Sequence, residues 1–154
     1  MNLVDELYAG AAALTADGIR YAVCGGVAVT AHGAPRMTKD IDILVLRADV
    51  ARVLDLVRPL GYAFPELPMV FDEGTPHERH VQRVSKIVGK DHLLLDLLVV
   101  EGPLAGALDD LVEIAMELGT VAFVSRATLL RLKRLAGRTQ DLADIEKLEA
   151  LDGN

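Results

Sequence analysis

Three acidic residues stand where a chain rarely places charge. Asp40 and Asp42 lie in Thr38-Lys39-Asp40-Ile41-Asp42-Ile43-Leu44-Val45, and Asp96 lies in Leu93-Leu94-Leu95-Asp96-Leu97-Leu98-Val99-Val100. Each run otherwise reads as a buried strand. Taking a carboxylate out of water costs several kcal/mol unless a partner compensates it. A chain that does so three times is expected to hold a cation. In a strand, residues i and i+2 point the same way, so Asp40 and Asp42 share one face and Ile41 and Ile43 the other. If Asp96 joins that face from a neighbouring strand, the three carboxylates form a hard-oxygen site. Such a site suits one or two Mg²⁺ ions that keep positions open for water and phosphate.

Upstream, Tyr21-Ala22-Val23-Cys24 reads as a short strand that runs into Gly25-Gly26 and then a helical stretch closed by Gly33. A strand, a glycine pair and a helix make a turn where backbone amides can approach a phosphate with no Cβ in the way. Thirteen residues separate Gly26 from Asp40.

This constellation resembles the nucleotidyltransferase superfamily typified by DNA polymerase β. Its pattern is an apolar strand, Gly-Gly or Gly-Ser, about a dozen residues, an apolar-Asp-apolar-Asp/Glu-apolar strand, then a distal apolar-Asp-apolar. Gly25, Gly26, Asp40, Ile41, Asp42, Ile43, Leu95, Asp96 and Leu97 fit it position by position. The run Arg36-Met37-Thr38-Lys39-Asp40-Ile41-Asp42 and the later Lys133, Arg138, Asp141 and Asp144 look more like the minimal bacterial branch, which includes abortive-infection and toxin–antitoxin proteins. The resemblance spans about residues 18–150. It implies the nucleotidyltransferase fold, two Mg²⁺ ions (or Mn²⁺) on Asp40, Asp42 and Asp96, and an NTP whose phosphates meet Gly25, Gly26, Lys39 and Lys133. It also implies transfer of a nucleoside monophosphate to an acceptor hydroxyl with release of pyrophosphate. The acceptor stays open among RNA, a protein and a small molecule such as an antibiotic. A cognate toxin or antitoxin partner is one expectation, and a non-catalytic antitoxin-like module of the same fold is the alternative from another class.

Composition sets bounds. The chain has 154 residues, 51% of them hydrophobic, which is enough for a packed core and reads as a single domain. Within it, the catalytic core is expected over about 18–101 and C-terminal helices over about 126–151. A net charge of −7 argues against binding nucleic acid through bulk positive charge. Residues 126–138 hold five basic residues and no acid, against that trend. Three tyrosines, three phenylalanines and no tryptophan leave few platforms for stacking bases. The lone Cys24 reads as a small buried side chain. His77 and His80 lie three apart without the further ligands that structural zinc needs. No basic-then-apolar leader and no run of about 18 apolar residues is present, so a cytoplasmic protein with no membrane contact is expected.

The elements that must position these residues follow from periodicity and punctuation. Helices are expected at Leu3–Ala16, 27–32, from Asp49 to Leu60, from Ser125 through Ala136, and from a Thr139 cap to Leu151. Strands are expected at 19–24, 40–46 and 121–124, with a hairpin of 81–88 and 93–100 turning at Gly89-Lys90-Asp91-His92. Residues 64–78, with three prolines, read as a loop with a short strand near Met69–Phe71, and Leu104–Met116 as an acidic helix. Asp141 and Asp144 read as helix-dipole partners in the first turn of the last helix. The sum is an α/β (α+β) chain with a small mixed sheet of three to five strands, packed helices and a C-terminal helix pair.

Overall fold

The computed structural model describes residues 2–152. In chain order the elements are α1 (Leu3–Ala16), β1 (Tyr21–Cys24), α2 (Gly25–Ala31), β2 (Asp40–Val45), α3 (Val50–Val57), β3 (Tyr62–Pro65), β4 (Met69–Phe71), β5 (Arg79–Val88), β6 (Asp91–Val99), β7 (Leu111–Met116), β8 (Gly119–Val124), α4 (Arg126–Ala136) and α5 (Thr139–Asp152). The strands form one mixed sheet in the order β3-β5-β6-β2-β1-β8-β7, with β4 also paired to β5. β2 runs antiparallel to β1 and parallel to β6, and β5 antiparallel to β6.

Each face of the sheet is fixed by alternation along β2. Ile41 and Ile43 are buried on one side, where Leu7, Ala11 and Leu14 of α1 and Val57 of α3 meet them together with Val23 and Leu95. Asp40 and Asp42 are only partly covered and take the other side. On that side α2 packs on β1 and β2, and α4 packs on α2. The carboxylates therefore sit at a boundary, helix-covered sheet to one side and open sheet over β5 to the other. The helix ends are chemically marked. Asn2 Oδ1 accepts from the Val4 and Asp5 amides, and Ser125 Oγ accepts from the Thr128 amide.

Three expectations need correction. Leu104–Met116 is not a helix. A short 3₁₀ turn at Gly102–Leu104 gives way to strand β7, which forms a hairpin with β8 at the sheet edge. Gly102 and Gly106, at φ +57° and +80°, interrupt helical backbone there, and Leu111-Val112-Glu113-Ile114 pairs with Val121–Val124 instead. The sheet has eight strands among the described residues rather than three to five, because β3, β4 and β7 extend both edges. Thr139 is the first residue of α5 rather than its cap, and Asp141 reaches back to accept from the Arg138 amide at 3.1 Å. The C-terminal helix pair and the short strand at Met69–Phe71 are as expected; the hairpin is present too, but it turns on Gly89-Lys90 alone, with Asp91 and His92 already in β6. No helix among the described residues is long and apolar enough to cross a membrane.

Candidate active site

Register aligns the chemistry into one row. Cys24 of β1 pairs with Asp42 of β2, Asp42 with Asp96 of β6, and Asp96 with Arg83 of β5. Paired residues on adjacent strands share a face, so the row reads Cys24, Asp42, Asp96, Arg83, with Asp40 two positions along β2 on the same side. Asp40 and Asp42 have no ion pair and no side-chain hydrogen bond among the described residues. Burial first, then the charges of Asp96 and Asp40, push the Asp42 carboxyl up to about 7. The Cys24 thiol is buried and pushed well up, mainly by that burial. It is a core side chain, as its sequence setting suggests.

Asp96 is the member of the row with a partner. Arg83 Nε donates to its Oδ1 at 2.8 Å and Nη2 to its Oδ2 at 3.0 Å, a two-pronged pair. The Arg83 guanidinium is pushed up by that hydrogen bonding. No three carboxylate, histidine or cysteine side chains converge at coordinating distance among the described residues. The donors nonetheless fit a divalent cation. They are hard oxygens, and the Asp40 and Asp42 side chains have no ion-pair partner among the described residues, while burial and the neighbouring Asp96 and Asp40 charges raise the Asp42 carboxyl.

The glycine pair is explained by what lies against it. Gly25 has φ +65°, and a Cβ there would fall 2.0 Å from Asp42 Oδ2. A Cβ on Gly26 would fall 2.8 Å from Arg36 Nη2 and 3.1 Å from Thr38 Cβ. The pair thus lets a carboxylate and a guanidinium press onto the turn between β1 and α2. Lys39, one residue before β2, is exposed.

Behind that turn lies a buried ion network. Lys133 of α4 is within 3.1 Å of Asp141 Oδ1 and 2.9 Å of Asp144 Oδ2, with side chains 6%, 1% and 0% exposed respectively. Asp144 also meets Arg36, whose Nε lies 3.0 Å from Oδ1 and whose Nη2 donates to Oδ2 at 3.1 Å. Arg138 Nε donates to Asp141 at 2.8 Å. Burial pushes both carboxyls up, but hydrogen bonds from Arg138 and Lys133 to Asp141, and from Lys133 and Gln140 to Asp144, outweigh it and hold them below the ordinary value. Asp141 and Asp144 are therefore counter-ions of a buried lysine, beyond the helix-dipole role their position suggests. Lys133 points into that pair, and its charge also lowers the Asp42 carboxyl.

No family profile matches the sequence, and no curated protein matches it. Solved structures do. The lincosamide antibiotic adenylyltransferase LnuA, solved with lincomycin bound, gives a TM-score of 0.62 at 17% identity, covering 94% of this chain and 95% of that one. A candidate nucleotidyltransferase from Thermotoga maritima gives 0.66 at 12% identity, covering 98% and 93%. This chain has the nucleotidyltransferase fold. ANT(2″)-Ia in complex with adenylyl-2″-tobramycin adds a third likeness, TM-score 0.59 at 16% identity over 94% and 86%.

Within this nucleotidyltransferase fold, the structure puts Asp42 beside Asp96 by register, Asp40 on the same face and Gly25 against Asp42, with Gly26 next along the turn. Sequence reasoning missed Arg83, and it raised Arg36 as a phosphate or acceptor contact without placing it on the glycine turn. Arg36 lies over Gly26, and Arg83 sits on Asp96. Finding Arg83 depended on turn length: the observed two-residue turn at Gly89-Lys90 pairs Val88 with Asp91, which carries Arg83 to Asp96. His77 is exposed and His80 pairs with Glu78 at 3.0 Å, so neither enters the row.

Proposed function

We propose that this chain is a metal-dependent nucleotidyltransferase that moves a nucleoside monophosphate from an NTP to an acceptor hydroxyl and releases pyrophosphate. The observation that carries the reading is the register of Asp42 with Asp96, Asp40 on the same face, beside a glycine turn in a nucleotidyltransferase fold.

Asp40 and Asp42 would hold divalent magnesium, with Asp96 as the third ligand. When bound, the ions would supply charge neutralisation for the triphosphate and a lowered pKa for the attacking hydroxyl. The protein's own contribution is placement. Strands β2 and β6 fix the carboxylates on rigid backbone, which is what positioning-dominated phosphoryl chemistry needs. The β1–α2 turn brings the NTP phosphates against Gly25 and Gly26, where Arg36 already lies. Lys39 reaches them from the approach to β2. Lys133 contributes its field at Asp42 and the fixed position of Arg36 through Asp144, and direct contact with phosphate requires it to leave two aspartates.

For the acceptor, the Arg36–Asp42 run and the Lys133, Asp141, Asp144 set support an abortive-infection or toxin–antitoxin type enzyme acting on RNA or a protein. A small-molecule acceptor is the second reading. It is supported by near end-to-end likeness to LnuA, solved with lincomycin, and by the adenylyl-tobramycin complex of ANT(2″)-Ia.

The test is incubation with Mg²⁺ and each α-³²P-labelled NTP in cell extract, beside Asp42→Asn. A species labelled by the wild type alone supports the reading, and its nuclease or protease sensitivity names the acceptor. Equal labelling by both proteins ends it.

A further inference from the structure

The carboxylate row, with Asp40 beside it, holds three acidic side chains and one resident guanidinium. Arg83 is not incidental to it. It faces Asp96 by register, and its fork occupies both carboxylate oxygens at 2.8 and 3.0 Å. Asp96 is buried, while the Arg83 side chain is 28% exposed. A guanidinium does not lose its proton at any physiological pH. It can give up Asp96 only by moving, and its partial exposure leaves it a route. The Glu66 amide donates to the Arg83 carbonyl at 2.9 Å, so a second carboxylate is carried beside the same strand position. A divalent ion on Asp96 and a guanidinium on both oxygens of Asp96 compete for the same lone pairs and repel each other.

Resting on the metal reading above, we propose that Arg83 is the resident counter-cation of Asp96, neutralising the third carboxylate until a divalent ion displaces it. Asp40 and Asp42, unpaired, are the entry ligands. Asp96 joins when Arg83 swings out. Arg83 is thus a positioning residue that sets how tightly the site takes metal and keeps the buried Asp96 from standing as an uncompensated charge when metal is absent.

The experiment is Mn²⁺ binding, followed by loss of the free-ion electron paramagnetic resonance signal. It uses the wild type, Arg83→Gln, Arg83→Lys and Asp42→Asn without nucleotide, with circular dichroism to establish folding. Removing a competing positive charge should tighten Mn²⁺ binding by about tenfold in Arg83→Gln, and by less in Arg83→Lys, which keeps the charge and loses the fork. The thermal stability of Arg83→Gln should fall in EDTA and recover when Mn²⁺ is added, which loss of a merely structural pair would not give. If Arg83→Gln binds Mn²⁺ equally or more weakly, the inference is overturned, while loss of binding in Asp42→Asn still upholds the metal site. Should Arg83→Gln not fold, an unchanged affinity in Arg83→Lys overturns it in the same way. If no variant binds Mn²⁺ at all, both readings fall together.

Discussion

The Asp42 carboxylate occupies the space that a side chain on Gly25 would need, with Oδ2 only 2.0 Å from where a Cβ would stand. The β1–α2 turn and strand β2 are therefore fitted to each other. Gly25→Ala meets two penalties: a left-handed φ of +65° and eviction of Asp42. The expected outcome is a loss of about 1–3 kcal/mol in urea unfolding, together with loss of Mn²⁺ binding. Retention of both would remove the argued reason for glycine at this position.

Asp42 makes a pH prediction with a definite sign. Its carboxyl is raised from 3.8 to about 7 in the fold by burial and by Asp96 and Asp40. The folded state therefore favours its protonated form. That contribution is fully present below about pH 4 and is lost as pH rises through about 7. In EDTA, Asp42→Asn should match the wild type near pH 4 and exceed it at pH 8 by about 2–4 kcal/mol. Mg²⁺ should close the gap at pH 8 by stabilising the wild type. A gap that is largest at pH 4 would contradict the assignment.

The buried network predicts a steeper cost. Asp144 compensates both Lys133 and Arg36 with no exposure to solvent. Asp144→Ala leaves the buried Lys133 ammonium with Asp141 alone and takes the carboxylate from Arg36, and truncating one partner of a buried ion pair costs about 3–5 kcal/mol. Chemical denaturation reads this directly. The double variant Asp144→Ala, Lys133→Met should recover part of the loss, since it also removes one of the two cations that Asp144 compensated.

Arg36 predicts a separation of fold from binding. Its guanidinium lies against Gly26 and is only partly covered. Arg36→Lys keeps a charge for Asp144 but cannot lie flat on the turn. It should unfold within about 1 kcal/mol of the wild type yet bind a non-hydrolysable NTP analogue about tenfold more weakly, measured by calorimetry. Unchanged affinity would remove Arg36 from the phosphate site.

The shared face of Asp40 and Asp42 was legible because strands have a period of two, and Asp96 stood out because charge inside an apolar run has few explanations. What stayed hidden depended on register. The hairpin read with a four-residue turn, Gly89–His92, pairs Val88 with Leu93 and would set Asp96 against Ser85. The observed two-residue turn shifts the pairing to Arg83. Strand β7 was hidden for another reason: Leu111-Val112-Glu113-Ile114-Ala115-Met116 carries good helix formers, and only pairing with β8 decides its state. The Lys133 network was half visible. The charges stood at helical spacing, but nothing local marks which of five basic residues turns inward.

The ion pair between Arg36 and Asp144 joins residues 108 positions apart in the chain. The segment leading into the carboxylate strand is thus anchored by a helix that the ribosome makes long after the strand itself. During synthesis β1, β2 and β6 can pair while Arg36, beside the glycine turn, still lacks the carboxylate that holds it. A nascent chain ending before α5 would carry Asp40, Asp42 and Asp96 without the carboxylate that fixes Arg36 on the turn, so the order of translation itself withholds the finished arrangement until that helix has emerged.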